Sequence, residues 1–414
     1  MVHGAPAPPL EGVLVAAELS PADVVSLDPR AVIGLATAAG APLSHAAILA
    51  RGLGIPAVTG LGADVLGILP GTVVLVDGDA GTVRVNPTDT EMEGARRRQL
   101  AGRRRQDEAR RLATTPAVTR DGRTVAVLVN VGSVEDARLA VCEGADGVGM
   151  LRTEFAFLGR QQPPGEEEQY LAYRAIADVV GDRPLVVRTL DLGADVPAWN
   201  ARPEPNPALG NRGLRLTLAD EDLFNTQLRA IARLASDRRI GVMFPMVTTI
   251  DELRRAHAHL RSVTERSVAI GITVEVPAAA LTAEVFARAV DFFAVGTNDL
   301  TQYTLAVDRT NAAVSALADG LHPAVLRLLR EVTAAAERHD RPVSVVGELG
   351  CDRLAIPVLL GLGVTALSVR PNAVAEVKQV VRAVALDEAR ALAEAALQAE
   401  SATAVRQLAA QHRR

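Results

Sequence analysis

A chain of 414 residues, 49% apolar and 22% charged, is an ordinary globular protein too long for one domain; two or three domains, or one small domain beside a barrel, fit the length. A net charge of −5 gives no general attraction to nucleic acid or to an anionic membrane, and no apolar stretch escapes interruption long enough to span a bilayer. Aromatics are only 3%, Lys378 is the one lysine among many arginines, and the two cysteines, Cys142 and Cys351, cannot build a disulfide framework, so a soluble, cytoplasmic protein with an Ala/Val/Leu/Ile core is expected.

Residues 1–10, with their APAP run, read as a disordered start. Residues 11–87 read as a compact β/α domain: short β-type runs at 12–16, 31–35, 56–59, 72–76 and 82–85 surround one helical stretch, 44–53, and the turn DGDAG at 77–81 closes a hairpin. His45 stands at the start of that helix, with Ser44 placed to cap it. The backbone field on a first helical turn favours a neutral imidazole and holds phosphate oxygens, which would suit a phosphoryl acceptor, although a lone histidine is more often an ordinary surface or core residue. Residues 88–118 form a linker helix whose run ARRRQLAGRRRQDEARR is charge-saturated; an anion-binding arm is the functional alternative, but the acidic net charge favours a solvated helix.

Residues 119–414 alternate regularly. Apolar runs at 125–129, 147–151, 185–187, 240–244, 269–274, 292–295, 343–346 and 366–369 are separated by helical segments such as 251–262, 282–289, 323–338 and 353–360. Eight strands alternating with helices over this length predict a (β/α)8 barrel; an open doubly wound sheet is the runner-up, and the count favours closure. The fold class is therefore α/β, a C-terminal (β/α)8 TIM barrel with a small N-terminal β/β/α domain.

In such a barrel catalytic groups gather at the C-terminal strand ends, here Asn130, Arg152, Arg188 with Asp191, Met246, Glu275, Asn298 with Asp299, Glu348 and Arg370. Glu275 and Asp299 end consecutive strands, and two hard oxygen ligands with room for substrate oxygens and water suit Mg2+; a salt-bridged carboxylate pair is the structural alternative. Arg152, Arg188 and Arg309 come from different strand ends, and guanidinium forks suit a phosphorylated acid.

The segments SHAAILARGLGIPAVTG, GVGMLRTEFAFL, VVRTLDLGAD, NPALGNRGLR, GITVEVPAA, DFFAVGTNDLTQYTLAVDRTN and VGELGCD resemble enzyme I of the bacterial phosphotransferase system, the phosphoenolpyruvate-protein phosphotransferase, in order and spacing from about residue 11 to the C-terminus. The resemblance implies a swivelling phosphohistidine domain at 11–87, the linker helix, and a phosphoenolpyruvate-binding barrel that forms a homodimer. It assigns His45 as the phosphorylated histidine, Glu275 and Asp299 as Mg2+ ligands, and Arg152, Arg188, Asn298 and Arg309 as substrate-binding residues. The activity implied is transfer of the phosphoryl group of phosphoenolpyruvate to His45 and on to a phosphocarrier protein.

Four departures from the family's pattern stand out. Val346 occupies the position of the cysteine that protonates the enolate, and valine has no proton to give; Cys351, five residues on, is a candidate acid only if its loop folds over the mouth. GAPLSH at 40–45 lacks the hydroxyl and guanidinium that precede the family's histidine, and GADV at 193–196 lacks a lysine. By the resemblance the sequence starts at the second half of the family's N-terminal domain, so the helical subdomain that docks the phosphocarrier is expected to be missing. The competing expectation is a degenerate relative that binds phosphoenolpyruvate, or pairs with a full-length homologue as a regulatory module, without turnover.

Overall fold

The computed structural model describes residues 12–20, 23–24, 26–40, 45–78, 80–192, 204–311 and 313–412. The expectations for residues 1–10, 41–44 and 193–196, and for the His45 side chain, lie outside the described residues. The chain divides into two compact units, Met1–Arg105 with Leu305–Ala318, and Gln106–Thr304 with Asp319–Arg414.

In the first unit β1 (Gly12–Ala16), β2 (Val32–Thr37) and β3 (Ala57–Val58) form a parallel sheet with β2 central. Helix α1 (His45–Gly52) packs on it through Ala46, Leu49 and Ala50, closing a core around Val24, Val32, Leu35 and Ile55. Strands β4 (Val74–Asp77) and β5 (Thr82–Val85) make the antiparallel hairpin that the glycine-containing turn predicts, and the Asp77 carboxylate fastens it by accepting from the Ala80 amide at 2.9 Å. Helix α2 (Asp89–Arg111) opens on a capping box: the Thr88 hydroxyl accepts from the Glu91 amide and the Glu91 carboxylate from the Thr88 amide.

The helix α2 stops at Arg111, short of the expected 118. Pro116 lacks a donor and biases the residue before it away from helix, and Ala117–Val118 instead form β6, antiparallel on the first barrel strand. Arg382 holds the frayed helix end, donating to the carbonyls of Leu112 and Thr115 at 2.8 Å.

The second unit is a closed barrel of eight parallel strands: β7 (Thr124–Val131), β8 (Gly147–Arg152), β9 (Leu185–Arg188), β10 (Ile240–Phe244), β11 (Ala269–Val274), β12 (Phe292–Gly296), β13 (Val343–Val346) and β14 (Ala366–Val369). Closure is explicit in the register, which sets Ala366 to Val369 opposite Ala126 to Val129, so the open sheet is excluded. Parallel strands are covered on both faces, which is why they read as unbroken apolar runs; every residue of β10 and β14 is buried.

Around the barrel run α3 (Val134–Cys142), α4 (Glu166–Val180), α5 (Leu214–Ala219), α6 (Glu221–Asp237), α7 (Ile250–Val263), α8 (Pro277–Leu281), α9 (Ala283–Ala287), α10 (Thr297–Leu305), α11 (Pro323–Arg338), α12 (Ala355–Gly361) and α13 (Val374–Ala383). Thr249 and Glu252 form a capping box on α7, and Ser133 and Asp220 cap α3 and α6. The helix expected over 282–289 is shorter, because Thr282 leaves helical geometry and turns its hydroxyl back to the Ala278 carbonyl at 2.8 Å. Two further helices, α14 (Leu386–Gln398) and α15 (Ala402–His412), follow the eighth unit. Helix α14 lies so close to α12 that a Cβ at Gly361 would run into the Ala389 carbonyl.

At the N-terminal end of the barrel strands the single lysine is fully buried. Lys378 Nζ donates to Asp146 Oδ1 at 2.6 Å and to the carbonyls of Gly144 at 2.8 Å and Thr115 at 3.3 Å, so its charge is paired and all three of its protons are engaged.

Candidate active site

The C-terminal strand ends carry a lattice of alternating charges. Strands β8 and β9 finish on Arg152 and Arg188, which are Cα partners in the register and so stand side by side. Arg188 donates through Nη2 to Glu154 Oε1 at 2.9 Å and lies 3.4 Å from Asp191 Oδ2 through Nη1. From the loop ahead of α5, Arg212 forks onto Asp191 (Nε to Oδ1 at 3.1 Å, Nη2 to Oδ2 at 2.8 Å) and reaches Asp299 Oδ1 and the Tyr303 hydroxyl through Nη1, both at 3.3 Å. Tyr303 in turn donates to the Ala208 carbonyl.

The backbone beneath these side chains is fixed by buried polar contacts. Thr153 donates to the Arg188 carbonyl at 2.9 Å, while Gln227 donates to Thr153 and accepts from the Leu190 amide at 2.8 Å, which leaves the turn after β9 little freedom. Glu275 follows β11 directly and accepts from the Met246 amide at 2.7 Å; Met246 holds a φ of 57°, a strained left-handed conformation of the kind that gathers at functional sites. Thr297 donates to the Val346 carbonyl at 3.1 Å and Asn298 accepts from the Glu348 amide at 3.3 Å, seating the start of α10 against the end of β13. Only glycine fits at 347, where φ is 124° and a Cβ would lie 2.7 Å from the Thr297 hydroxyl and 2.9 Å from Asn298 Oδ1.

Electrostatics follow from this packing. Glu275 is 2% exposed, and burial, reinforced by Asp299 and Asp191 and opposed by Arg188 and Arg212, pushes its carboxyl up to about 8. Burial alone would lower Arg188 and Arg212, but their carboxylate partners outweigh it and hold both more firmly protonated than usual. The Tyr303 phenol is pushed up to about 12 by burial, against the pull of Arg212. Several buried polar atoms in and around this lattice have no protein partner: Arg188 Nε, Glu154 Oε2, Thr189 Oγ1 and Thr273 Oγ1. They fit a site whose complement is a polar ligand.

Of the residues expected from sequence, the barrel unit gathers Arg152, Arg188, Glu275, Asn298 and Asp299. Arg309 lies on Leu305–Ala318, which groups with the first unit, and His45 is the first residue of α1. Val346 is 5% exposed and packs with Met150, Met243 and Ala294 in an apolar layer inside the barrel. Cys351 ends a 3-10 turn, Glu348–Cys351, and burial pushes its thiol up to about 11.

Sequence reasoning passed over Arg212 and Glu154 as site residues. Neither ends a strand, so an inventory of strand ends misses both; the signal for Arg212 was its place in NPALGNRGLR, a charged residue in a Gly-rich, Pro-rich loop that the barrel brings to the mouth.

Asp299, expected to end a strand, stands in the first turn of α10 instead, because the strand stops at Gly296; a closed (β/α)8 barrel whose mouth combines paired guanidiniums with this carboxylate and that of Glu275 is an anion-handling enzyme scaffold. Residues 106–386 match the PEP-binding domain of PEP-utilising enzymes, and residues 9–81 match the mobile domain of the same enzymes. The chain belongs to the PEP-utilising enzyme family. It is 46% identical over 409 residues to the multiphosphoryl transfer protein of Xanthomonas campestris pv. campestris, covering 96% of this chain and 48% of the relative. Identity to the multiphosphoryl transfer protein of Rhodobacter capsulatus is 45% over 402 residues, with 96% and 49% covered. The phosphoenolpyruvate-protein phosphotransferase of Geobacillus stearothermophilus is 38% identical over 399 residues, with 94% and 69% covered. The chain thus spans about half the length of the two multiphosphoryl transfer proteins it matches.

Proposed function

We propose that this chain moves the phosphoryl group of phosphoenolpyruvate to His45 and onward to an acceptor protein of the sugar phosphotransferase system, releasing pyruvate. The observation that carries the reading is the buried lattice of Arg188, Asp191, Arg212 and Asp299 around Glu275, with donors left over for a ligand. Arg188 offers its unpartnered Nε beside Arg152, a donor set suited to a phosphate dianion. Asn298, already turned toward the β13 end, and Arg309 complete the substrate-binding set by resemblance.

Glu275 and Asp299 are hard oxygen donors whose charges act on one another, a donor set that suits a hard cation completed by water and substrate oxygens. Glu275 and Asp299 would hold such a Mg2+ ion, which when bound neutralises phosphate oxygens. The neutral imidazole of His45 attacks phosphorus, the bond from phosphorus to the enol oxygen breaks, and its electron pair leaves on the enolate. The enolate carbon then takes a proton to become pyruvate. Val346 supplies none, and Cys351 lies at the far end of the turn after β13, so water that meets the enolate on release is the proposed source.

A phosphocarrier protein is the proposed acceptor and pairing of two copies through the barrel the proposed assembly, in the cytoplasm; among the described residues no helix is long and apolar enough to cross a membrane. The test is incubation with Mg2+ and radiolabelled phosphoenolpyruvate. Acid-labile label is expected on the parent protein and absent from His45→Ala, and a parent that takes up none overturns the proposal. Val346 favours a second reading, a relative that binds phosphoenolpyruvate without turning over; binding by calorimetry with no label on His45 would select it.

A further inference from the structure

Helix α15 buries only Val405 and Ala409, yet between them it carries Arg406, whose guanidinium holds two separate loops. Arg406 grips Asp319 with two bonds, Nε to Oδ2 at 2.7 Å and Nη2 to Oδ1 at 3.0 Å, and Asp352 with one, Nη1 to Oδ2 at 2.8 Å. Neither aspartate is a passive surface charge. Asp319 also accepts from the Leu321 amide at 3.0 Å and Asp352 from the Leu354 amide at 2.8 Å, so each fixes the backbone of its own loop.

Those loops matter because of what precedes them. Asp352 directly follows the Glu348–Cys351 turn at the end of β13, whose first amide is bonded to Asn298. Asp319 is the residue at which the chain re-enters the barrel unit after Leu305–Ala318, the segment that carries Arg309. The two loops also touch: a Cβ at Gly320 would lie 3.1 Å from both Leu349 methyls. One guanidinium therefore ties the loop after the Glu348–Cys351 turn, whose first amide is bonded to Asn298, to the loop at which the chain re-enters the barrel unit.

We infer that Arg406 is a positioning residue for the phosphoenolpyruvate site, an inference that rests on the function proposed above. Arg406 sets the relation between the Glu348–Cys351 turn and the return at Asp319, and through the turn the placement of Asn298. Without it, two carboxylates that share one cation face each other uncompensated and push the loops apart. An isolated pair at 38% side-chain exposure would matter little, but here three charge-assisted bonds converge on one fork, the arrangement in which such pairs have measurable effect. Lysine cannot reproduce it, since a single ammonium lacks the planar fork.

The test compares Arg406→Ala, Arg406→Lys and Asp352→Asn with Arg330→Ala, which removes an exposed pair to Glu394 between outer helices. Half-saturation by phosphoenolpyruvate is read from labelling of His45, and thermal midpoints are taken in parallel. Arg406→Ala should raise the half-saturating concentration about tenfold, within the ~100-fold that a 1 Å misplacement can cost. Arg406→Lys should not restore it, Asp352→Asn should give a smaller rise, and Arg330→Ala should leave it within twofold at a similar thermal shift. Equal half-saturation in Arg406→Ala and the parent overturns the inference while leaving the phosphotransfer reading intact, and so does full rescue by lysine. A parent that takes up no label overturns both.

Discussion

Arg212 shows what a single side chain contributes here. It is 6% exposed and its fork neutralises Asp191 while its third nitrogen reaches Asp299, so removing it leaves two buried carboxylates short of a cation. Arg212→Met should cost about 3–5 kcal/mol of barrel stability, the range for breaking a buried pair, readable in urea melts. The same variant should lose most labelling of His45 under conditions where it remains folded. Val346→Cys addresses the other gap: a thiol in the apolar layer beside Met150 and Ala294 should raise pyruvate release in a coupled assay, and an unchanged rate would mean that protonation does not limit turnover. The places of Glu275 and Arg188 at the barrel mouth were legible in sequence because each stands where an apolar run stops, and Asp299 follows one within a single helical turn. Arg212 and Glu154 were not, because loop residues declare their neighbours only after the barrel closes.

Elements were legible in proportion to their burial. The eight strands read directly, since a parallel strand covered on both faces must be apolar throughout; the break between α8 and α9 did not, since it depends on one hydroxyl turning to a carbonyl. Helices α9 and α11 are joined by Glu284, which receives His339 at 2.7 Å and Arg338 at 2.8 Å. These partners, His339 first, hold its carboxyl down to about 2, against an ordinary value of 4.5. A carboxylate depressed by folding contributes stability above its unfolded value, and that contribution fades as pH falls toward the folded one. Parent protein should therefore lose more stability than Glu284→Gln between pH 5 and pH 2.5 in urea melts, and the two should converge at the lower pH. At the α12–α14 contact, Gly361→Ala should cost about 1–3 kcal/mol, as overpacking generally does, because the facing carbonyl of Ala389 belongs to helix backbone that cannot step aside.

At the scale of the molecule, each of the two units has its own core, which fits the two family matches. Their unfolding need not be one event. Calorimetry should resolve two transitions, and phosphoenolpyruvate with Mg2+ should raise the one that belongs to the barrel, since a ligand stabilises the state that binds it. The shift from linker to barrel was visible in sequence as the passage from a charge-saturated run to regular apolar alternation. The segment Leu305–Ala318 was not visible as a departure from the barrel, because its residues follow α10 without any change in composition.

Lys378 gives the barrel an internal clock. As the one lysine of the chain, with its ammonium buried and bonded to Asp146 and two carbonyls, it cannot meet an amine-directed reagent while the barrel stays shut. Acylation at residue 378, followed by mass spectrometry over time, would report how fast the structure around this lysine opens, without any engineered probe.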